Sequence, residues 1–264
     1  MNALSHARFD VLGVPVSELD LPRAVEIVEA WGRDGTKTFV CVTGVHGVIE
    51  CQDDPELLAI HRRASMVTPD GMPLVWWANR HGLKTVRRVY GPDLMAAVCA
   101  RAPRNGLRHF FYGGGEGVAQ DLAWTMRART PELQVVGTYQ PPFRPLEDHE
   151  MDDVAGLINA ARPDIVWVGL GTPKQERWMD AFRERLDAPV LVGVGAAFDF
   201  LAGRQRQAPA WLQRHGLEWA YRLVREPRRL AGRYGRIVPR FLLLALAEGA
   251  GRPRGAAEKG ANRL

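Results

Sequence analysis

Asp164-Ile-Val-Trp-Val-Gly-Leu-Gly-Thr-Pro-Lys-Gln-Glu-Arg-Trp178 is the stretch that decides the fold class of this chain. Residues 165–168 form a short apolar run of the kind that becomes a strand buried on both faces. Gly169-Leu-Gly171 then turns the chain, and Thr172 before Pro173 reads as an N-cap with proline at the first helical position. Strand, glycine turn and helix N-terminus, in that order, offer free backbone N–H groups to an anion. Lys174, Gln175 and Glu176 follow in the first helical turn, where their side chains are expected to face whatever fills the crevice.

Outward from this stretch the same alternation repeats. Strands are predicted at 38–43, 66–68, 107–112, 133–137, 165–169 and 190–194, and helices at 54–64, 72–81, 93–100, 117–130, 149–161 and 174–186. The expected fold is therefore α/β and Rossmann-like, a mostly parallel sheet with helices on both faces and its site at the carboxyl ends of the strands. Past residue 203 the pattern turns wholly helical, with 209–224, a break at Pro227, and a helix from 228 to about 247. The chain thus divides into an α/β core (1–203), a basic helical C-terminal appendage (204–248) and a Gly/Arg/Ala-rich tail (249–264) that reads as disordered.

Bulk properties narrow the class. The 264 residues, 46% of them hydrophobic, are enough for one full core with an appendage. Cys41, Cys51 and Cys99 have no paired or metal-like spacing, and the N-terminus lacks a signal-peptide core, which points to reduced thiols in a cytoplasmic protein. No apolar run approaches a membrane span; the best, 241–247, is far too short. Net charge is +5, yet residues 204–240 carry ten arginines against only Glu218 and Glu226, so the body upstream is acidic. An arginine-rich segment on an acidic body implies an anionic partner: nucleic acid, anionic lipid or a phosphorylated substrate.

Several constellations could carry chemistry. Thr68-Pro-Asp70-Gly places a carboxylate at a strand end; it reads equally as a helix cap or as a general base or sugar ligand. The turn 111–117, with Gly113 and Gly114, resembles a phosphate cradle without matching either G-x-G-x-x-G or the P-loop spacing. Residues 192–199 lead a strand into Gly195 and on to Asp199, which could cap or bind. His46 follows the first predicted strand closely. With no D-x-D, no H-E-x-x-H and no Cys/His cluster, no metal site is expected. In the appendage, tryptophans, leucines and arginines join a basic segment to an apolar one, the combination suited to an anionic membrane surface.

Six segments, VTPDGMPLVWW (67–77), RRVYGPDLM (87–95), FFYGGGEG (110–117), DIVWVGLGTPKQERWM (164–179), VGVGAAFDFLAG (192–203) and GLEWAYRLVREPRRLAGRY (216–234), together resemble the WecG/TagA/CpsF family, glycosyltransferase family 26. The resemblance spans about residues 8–240. It implies an inverting, metal-independent transferase without cofactor, peripheral on the inner face of the cell membrane, acting in bacterial surface polysaccharide synthesis. The donor would be a UDP-sugar carrying N-acetylmannosamine, its uronic acid, glucose or glucuronic acid, and the acceptor a polyprenyl-diphosphate-linked saccharide. Asp70 would be the catalytic base and Arg88 would neutralise diphosphate charge. Thr172, Lys174 and Gln175 would position donor or acceptor, and the glycine turns (Gly113, Gly114, Gly169, Gly171, Gly195) would pack against the nucleotide. The appendage would close over the site, bringing Arg222, Arg225 and Arg229 to the phosphates, and would dock on the bilayer; a homo-oligomer is possible. The family's T-x-N pattern is broken here: Thr43 carries over, Val45 stands where Asn is expected, and whether His46 replaces it is open.

Two other readings compete. A nicotinamide-dependent oxidoreductase on the same sheet lacks the dinucleotide fingerprint. A nucleic-acid-binding protein would use the arginines, but the body is acidic and no binding motif is present.

Overall fold

The computed structural model describes residues 5–250, the side chains of residues 229, 249 and 250 excepted. It opens with an antiparallel hairpin, β1 (Arg8–Val11) and β2 (Val14–Ser17), then α1 (Leu21–Asp34), β3 (Thr38–Thr43), α2 (Val45–Asp53), α3 (Pro55–Arg63), β4 (Met66–Pro69) and α4 (Met72–Arg80). The middle of the chain forms α5 (Gly91–Ala100), α6 (Ala102–Asn105), β5 (Arg108–Gly113), α7 (Val118–Arg129), β6 (Gln134–Tyr139) and α8 (Asp148–Ala161). It continues with β7 (Ile165–Gly169), α9 (Lys174–Phe182), β8 (Val190–Gly193) and α10 (Ala197–Leu201), and closes with α11 (Ala210–Arg214), α12 (Glu218–Arg225) and α13 (Pro227–Ala250).

Six strands form one sheet in the order β4-β3-β8-β7-β5-β6, every pair parallel. Parallel strands need both faces covered, and they are. Val42, Phe111, Trp167 and Val192 pack under α1, α5, α7 and α10. Cys41, Phe110, Tyr112, Val168 and Leu191 pack under α2, α3, α4, α8, α9 and part of α13. Trp167, fully buried, donates its indole N–H to His109 Nδ1 at 3.0 Å, which satisfies the one polar atom of the largest core side chain.

Register brings the strand ends together. Thr43 pairs with Pro69, Val168 with Gly193, and Gly113 with Gly169. In a parallel sheet these are all carboxyl ends, so the turns that follow them share one edge. A depression of 480 Å³ among Lys37, Arg63, Asp180 and Arg183 lies at the opposite edge, where β3 begins.

The six predicted sheet strands all form. The sequence reading missed the hairpin, whose four-residue strands are too short to show a period, and it missed α1, α2, α6 and α10. Three expectations are corrected. The helix expected at 209–224 is two, because Gly216 at φ +68° breaks it between α11 and α12. Pro227 does not stand outside the last helix but begins it, a position where its missing N–H is no loss. Thr172 is not the N-cap of α9: Pro173, joined to it by a cis peptide bond, takes that place, so the helix starts at Lys174. Of the expected tail, 249–264, the first two residues end α13 and the rest lies outside the described residues.

Candidate active site

Asp70 sits directly after β4, where its N–H donates to the Thr43 carbonyl at 2.9 Å and continues the ladder by one bond. Gly71, at φ +134°, then turns the chain into α4 and occupies the N-cap position, with no side-chain cap. Asp70 is therefore not spent as a helix cap, which removes one of its two readings. The neighbouring turn comes very close: a Cβ on Gly44 would lie 2.7 Å from the Asp70 carbonyl oxygen.

The Asp70 carboxyl is packed in on most sides, with 27% of the side chain exposed. Burial pushes its pKa up to about 7, opposed by Arg88 and reinforced by Glu218. Arg88 Nη2 lies 3.8 Å from Asp70 Oδ1, a loose pair. The same guanidinium is held firmly elsewhere. Nη2 donates to Glu218 Oε2 at 2.5 Å, Nη1 donates to Gln213 Oε1 at 2.9 Å, and the plane lies 4.0 Å from the Tyr90 ring centroid. Tyr90 donates its hydroxyl to the other Glu218 oxygen at 3.0 Å. Gln213 and Glu218 belong to α11 and α12, so the appendage fastens onto the core beside Asp70. The turn between them packs on α4, where a Cβ on Gly216 would meet the Trp76 ring at 2.7 Å.

The β7–α9 turn is arranged differently from the expectation. Gln175 and Glu176 are buried, not turned into the crevice. Gln175 Oε1 accepts the Gly171 N–H at 3.2 Å, taking up a donor that was expected to be free for an anion. Its amide donates to Glu176 Oε1 at 3.0 Å, and the Thr172 hydroxyl donates to the same oxygen at 2.9 Å. Side chains thus take up the Gly171 donor and one Glu176 oxygen from within, and of the three polar residues only Lys174 is exposed.

The glycines divide by cause. A Cβ on Gly113 would meet the Gly169 carbonyl oxygen at 2.7 Å, and one on Gly169 would meet the Phe198 ring at 2.7 Å. Gly114 donates its N–H to Gly169 O at 3.0 Å and abuts Val118. These three let β5, β7 and α10 close on one another at the start of the 113–117 turn, while Gly115 and Gly117 have no such close neighbour and Glu116 is exposed. Gly171 has open space around its missing Cβ and is required for φ +75° alone. Gly195, at φ +53°, faces Gly171 and Gln175.

Thr43 is buried, its hydroxyl 3.1 Å from His61 Nε2, while His61 Nδ1 lies 2.9 Å from the Leu57 carbonyl. Its side chain therefore serves the interior. His46 pairs with Glu50 at 3.3 Å, and Glu50 also receives Arg236 of α13 at 2.7 Å. Burial, then Arg233, holds the His46 pKa below its usual value. Asp199 lies on α10, its carbonyl accepting the N–H groups of Arg204 and Gln205. Arg222 stands 5.9 Å from the Phe200 ring and acts on Asp70 electrostatically, whereas Arg225 is exposed against Tyr221. The Arg229 side chain lies outside the described residues. Tyr90, Gln213 and Glu218 were missed by sequence reasoning; the signal was present in Glu218, one of two acids among ten arginines.

At the strand ends of the parallel sheet lie a carboxylate with a raised proton affinity and a guanidinium, overlaid by a basic helical segment. The chain belongs to the glycosyl transferase WecG/TagA/CpsF family, whose model matches residues 9–255. It is a glycosyltransferase, which sets aside the hydride-transfer reading. Among curated relatives, an N-acetylglucosaminyldiphosphoundecaprenol N-acetyl-beta-D-mannosaminyltransferase of Bacillus spizizenii strain W23 is 30% identical over 221 residues, 81% of this chain and 84% of that protein. A protein of the same description from Bacillus subtilis strain 168 is 28% identical over 195 residues, 74% of this chain and 73% of its own length.

Proposed function

We propose that this chain is an inverting, metal-independent transferase that moves a sugar from a UDP-sugar onto a polyprenyl-diphosphate-linked saccharide, with Asp70 as the base. The observation that supports this most is the Asp70 carboxyl, free of any capping duty and with a proton affinity near neutral. In the reaction the acceptor hydroxyl loses its proton to Asp70 as its oxygen attacks the anomeric carbon. The bond from that carbon to the UDP oxygen breaks on the opposite face, which inverts the configuration, and UDP departs with the electron pair. Arg222 and Arg225 supply positive charge for the diphosphate, and Arg88 adds its field while its two terminal nitrogens are engaged by the appendage. Gln175 positions the β7–α9 turn from beneath, and Lys174 is the exposed cation of that turn. Both relatives are named for N-acetylmannosamine transfer to an N-acetylglucosaminyl-diphospho-undecaprenol, so those are the first substrates to test.

The appendage is the membrane-docking element of this reading. Among the described residues no helix is long and apolar enough to cross a membrane. Trp211, Val224, Leu242, Leu243 and Leu246 stand exposed on the appendage amid its arginines, suited to an interfacial seat.

The test is UDP release from UDP-N-acetylmannosamine with a lipid-diphosphate-linked N-acetylglucosamine, in the presence of a chelator. Turnover should persist with chelator and fall at least about a hundredfold in Asp70→Asn. A fully active Asp70→Asn variant would remove Asp70 as the base, and strict dependence on added divalent metal would remove the metal-independent mechanism.

A further inference from the structure

Arg88 is shared by two carboxylates, and the sharing is unequal. Its Nη2 is 2.5 Å from Glu218 and 3.8 Å from Asp70. Charge-assisted pairs at the shorter distance are strong, and an arginine fork closed on a carboxylate suppresses that carboxylate's affinity for a proton. Were Arg88 to close on Asp70, the group proposed as base would become a poor one. What holds it off is a set of contacts made by the appendage and Tyr90. Glu218 takes Nη2, Gln213 takes Nη1, the Tyr90 ring lies against the guanidinium plane, and the Tyr90 hydroxyl fixes the second Glu218 oxygen. Arg88 and Glu218 are each 16% exposed, so solvent cannot easily replace either partner.

We propose that Glu218 is a positioning residue of the transfer reaction: it draws the Arg88 guanidinium away from Asp70 and so leaves the Asp70 carboxylate open to accept the proton of the sugar hydroxyl. This rests on Asp70 being the base. It makes the core's proton acceptor depend on a residue that arrives only when α12 is docked, so that the isolated core would hold a weaker base. The charged groups acting on Asp70 are Arg88, then Glu218 and Arg222 from α12, and Asp93 from α5. Removing the Glu218 charge takes away one contribution that raises the Asp70 pKa and frees Arg88 to approach, and both effects favour ionised Asp70.

The experiment compares the full-length wild type with Glu218→Gln, which keeps the size and acceptor oxygen of the side chain but not its charge, and with Glu218→Asp. Asp70 is titrated by carboxyl-carbon NMR in aspartate-labelled protein, its resonance assigned by its loss in Asp70→Asn. Backbone hydrogen exchange across 210–226 reports whether the appendage stays docked. In Glu218→Gln the Asp70 midpoint should fall by about one pH unit or more, the acidic limb of kcat should move down with it, and kcat at its plateau should drop about tenfold. Exchange across 210–226 should not change, and Glu218→Asp should recover part of both. An unmoved Asp70 midpoint overturns the proposal, as does an unchanged kcat despite a lowered midpoint. Faster exchange across 210–226 in Glu218→Gln also overturns it, because Glu218 would then be a fastener of the appendage and nothing more. The titration needs no turnover, so it judges Glu218 separately from the base assignment, which fails only if Asp70→Asn stays active.

Discussion

At Asp70 burial and charge pull one carboxyl in opposite directions, and burial is the larger effect. The folded pKa, near 7, lies above the ordinary aspartate value. Between about pH 4 and pH 7 the folded chain therefore holds more protons than the unfolded one, and stability from this group falls as pH rises through that window. Asp70→Asn should accordingly be the more stable protein at pH 8, by up to about 4 kcal/mol, with the gain vanishing by pH 4; urea unfolding at the two pH values checks this. The Arg88–Glu218 bond does not involve Asp70, which keeps the comparison clean. A variant equally or less stable at pH 8 would mean the carboxyl titrates normally. Gly169 gives a second prediction of different origin. An alanine Cβ there would lie 2.7 Å from the buried Phe198 ring, which cannot swing aside, so Gly169→Ala should cost about 1–3 kcal/mol in urea unfolding. Gly171→Ala meets no such neighbour, and only its positive φ opposes it.

At the scale of the element, α9 is held to the sheet by Trp178, stacked 4.2 Å from Tyr112 of β5 and, within the helix, 4.3 Å from Phe182. Its first turn is held by Gln175, which bonds backward to Gly171 and sideways to Glu176. Gln175→Ala leaves the Gly171 N–H and a buried Glu176 oxygen each without a bond they now have. A loss of about 1–3 kcal/mol follows, readable as a lower melting temperature, together with a drop in turnover as the β7–α9 turn loosens. Unchanged stability with lost turnover would instead place Gln175 on the substrate. The strand ahead of this turn was legible because Ile165–Val168 is apolar on every residue, the mark of a strand covered on both faces. The capping of the turn was not legible. Thr172 before Pro173 has the composition of an N-cap pair, and only the path of the chain shows Pro173 in that position.

Across the whole molecule, α13 turns one side inward and leaves the other outside. Leu230, Ile237 and Phe241 are buried, with Phe241 6.4 Å from Trp77, and Arg236 and Arg240 pair with Glu50 and Asp53 of α2. Leu242, Leu243 and Leu246 stay exposed. Some of the arginines that the sequence reserves for an anionic partner are thus neutralised by the acidic core. Removing everything after residue 207 should abolish flotation with anionic vesicles and reduce transfer to a lipid-linked acceptor together. Binding of the intact chain should weaken as salt rises from 50 to 500 mM. Full activity of the truncated protein would make the appendage dispensable.

The sequence by itself determined the parallel α/β architecture and the family, because buried strands, glycine turns and motif order are local properties of the chain. Only the tertiary structure decided which polar groups are available. It turned Gln175, Glu176 and Thr43 inward, used Gly113 and Gly169 for packing, and set Glu218 from the distant appendage against Arg88 beside Asp70. Pairing and burial depend on what lies across the fold, 130 residues away in the case of Arg88 and Glu218, and no local pattern encodes that distance.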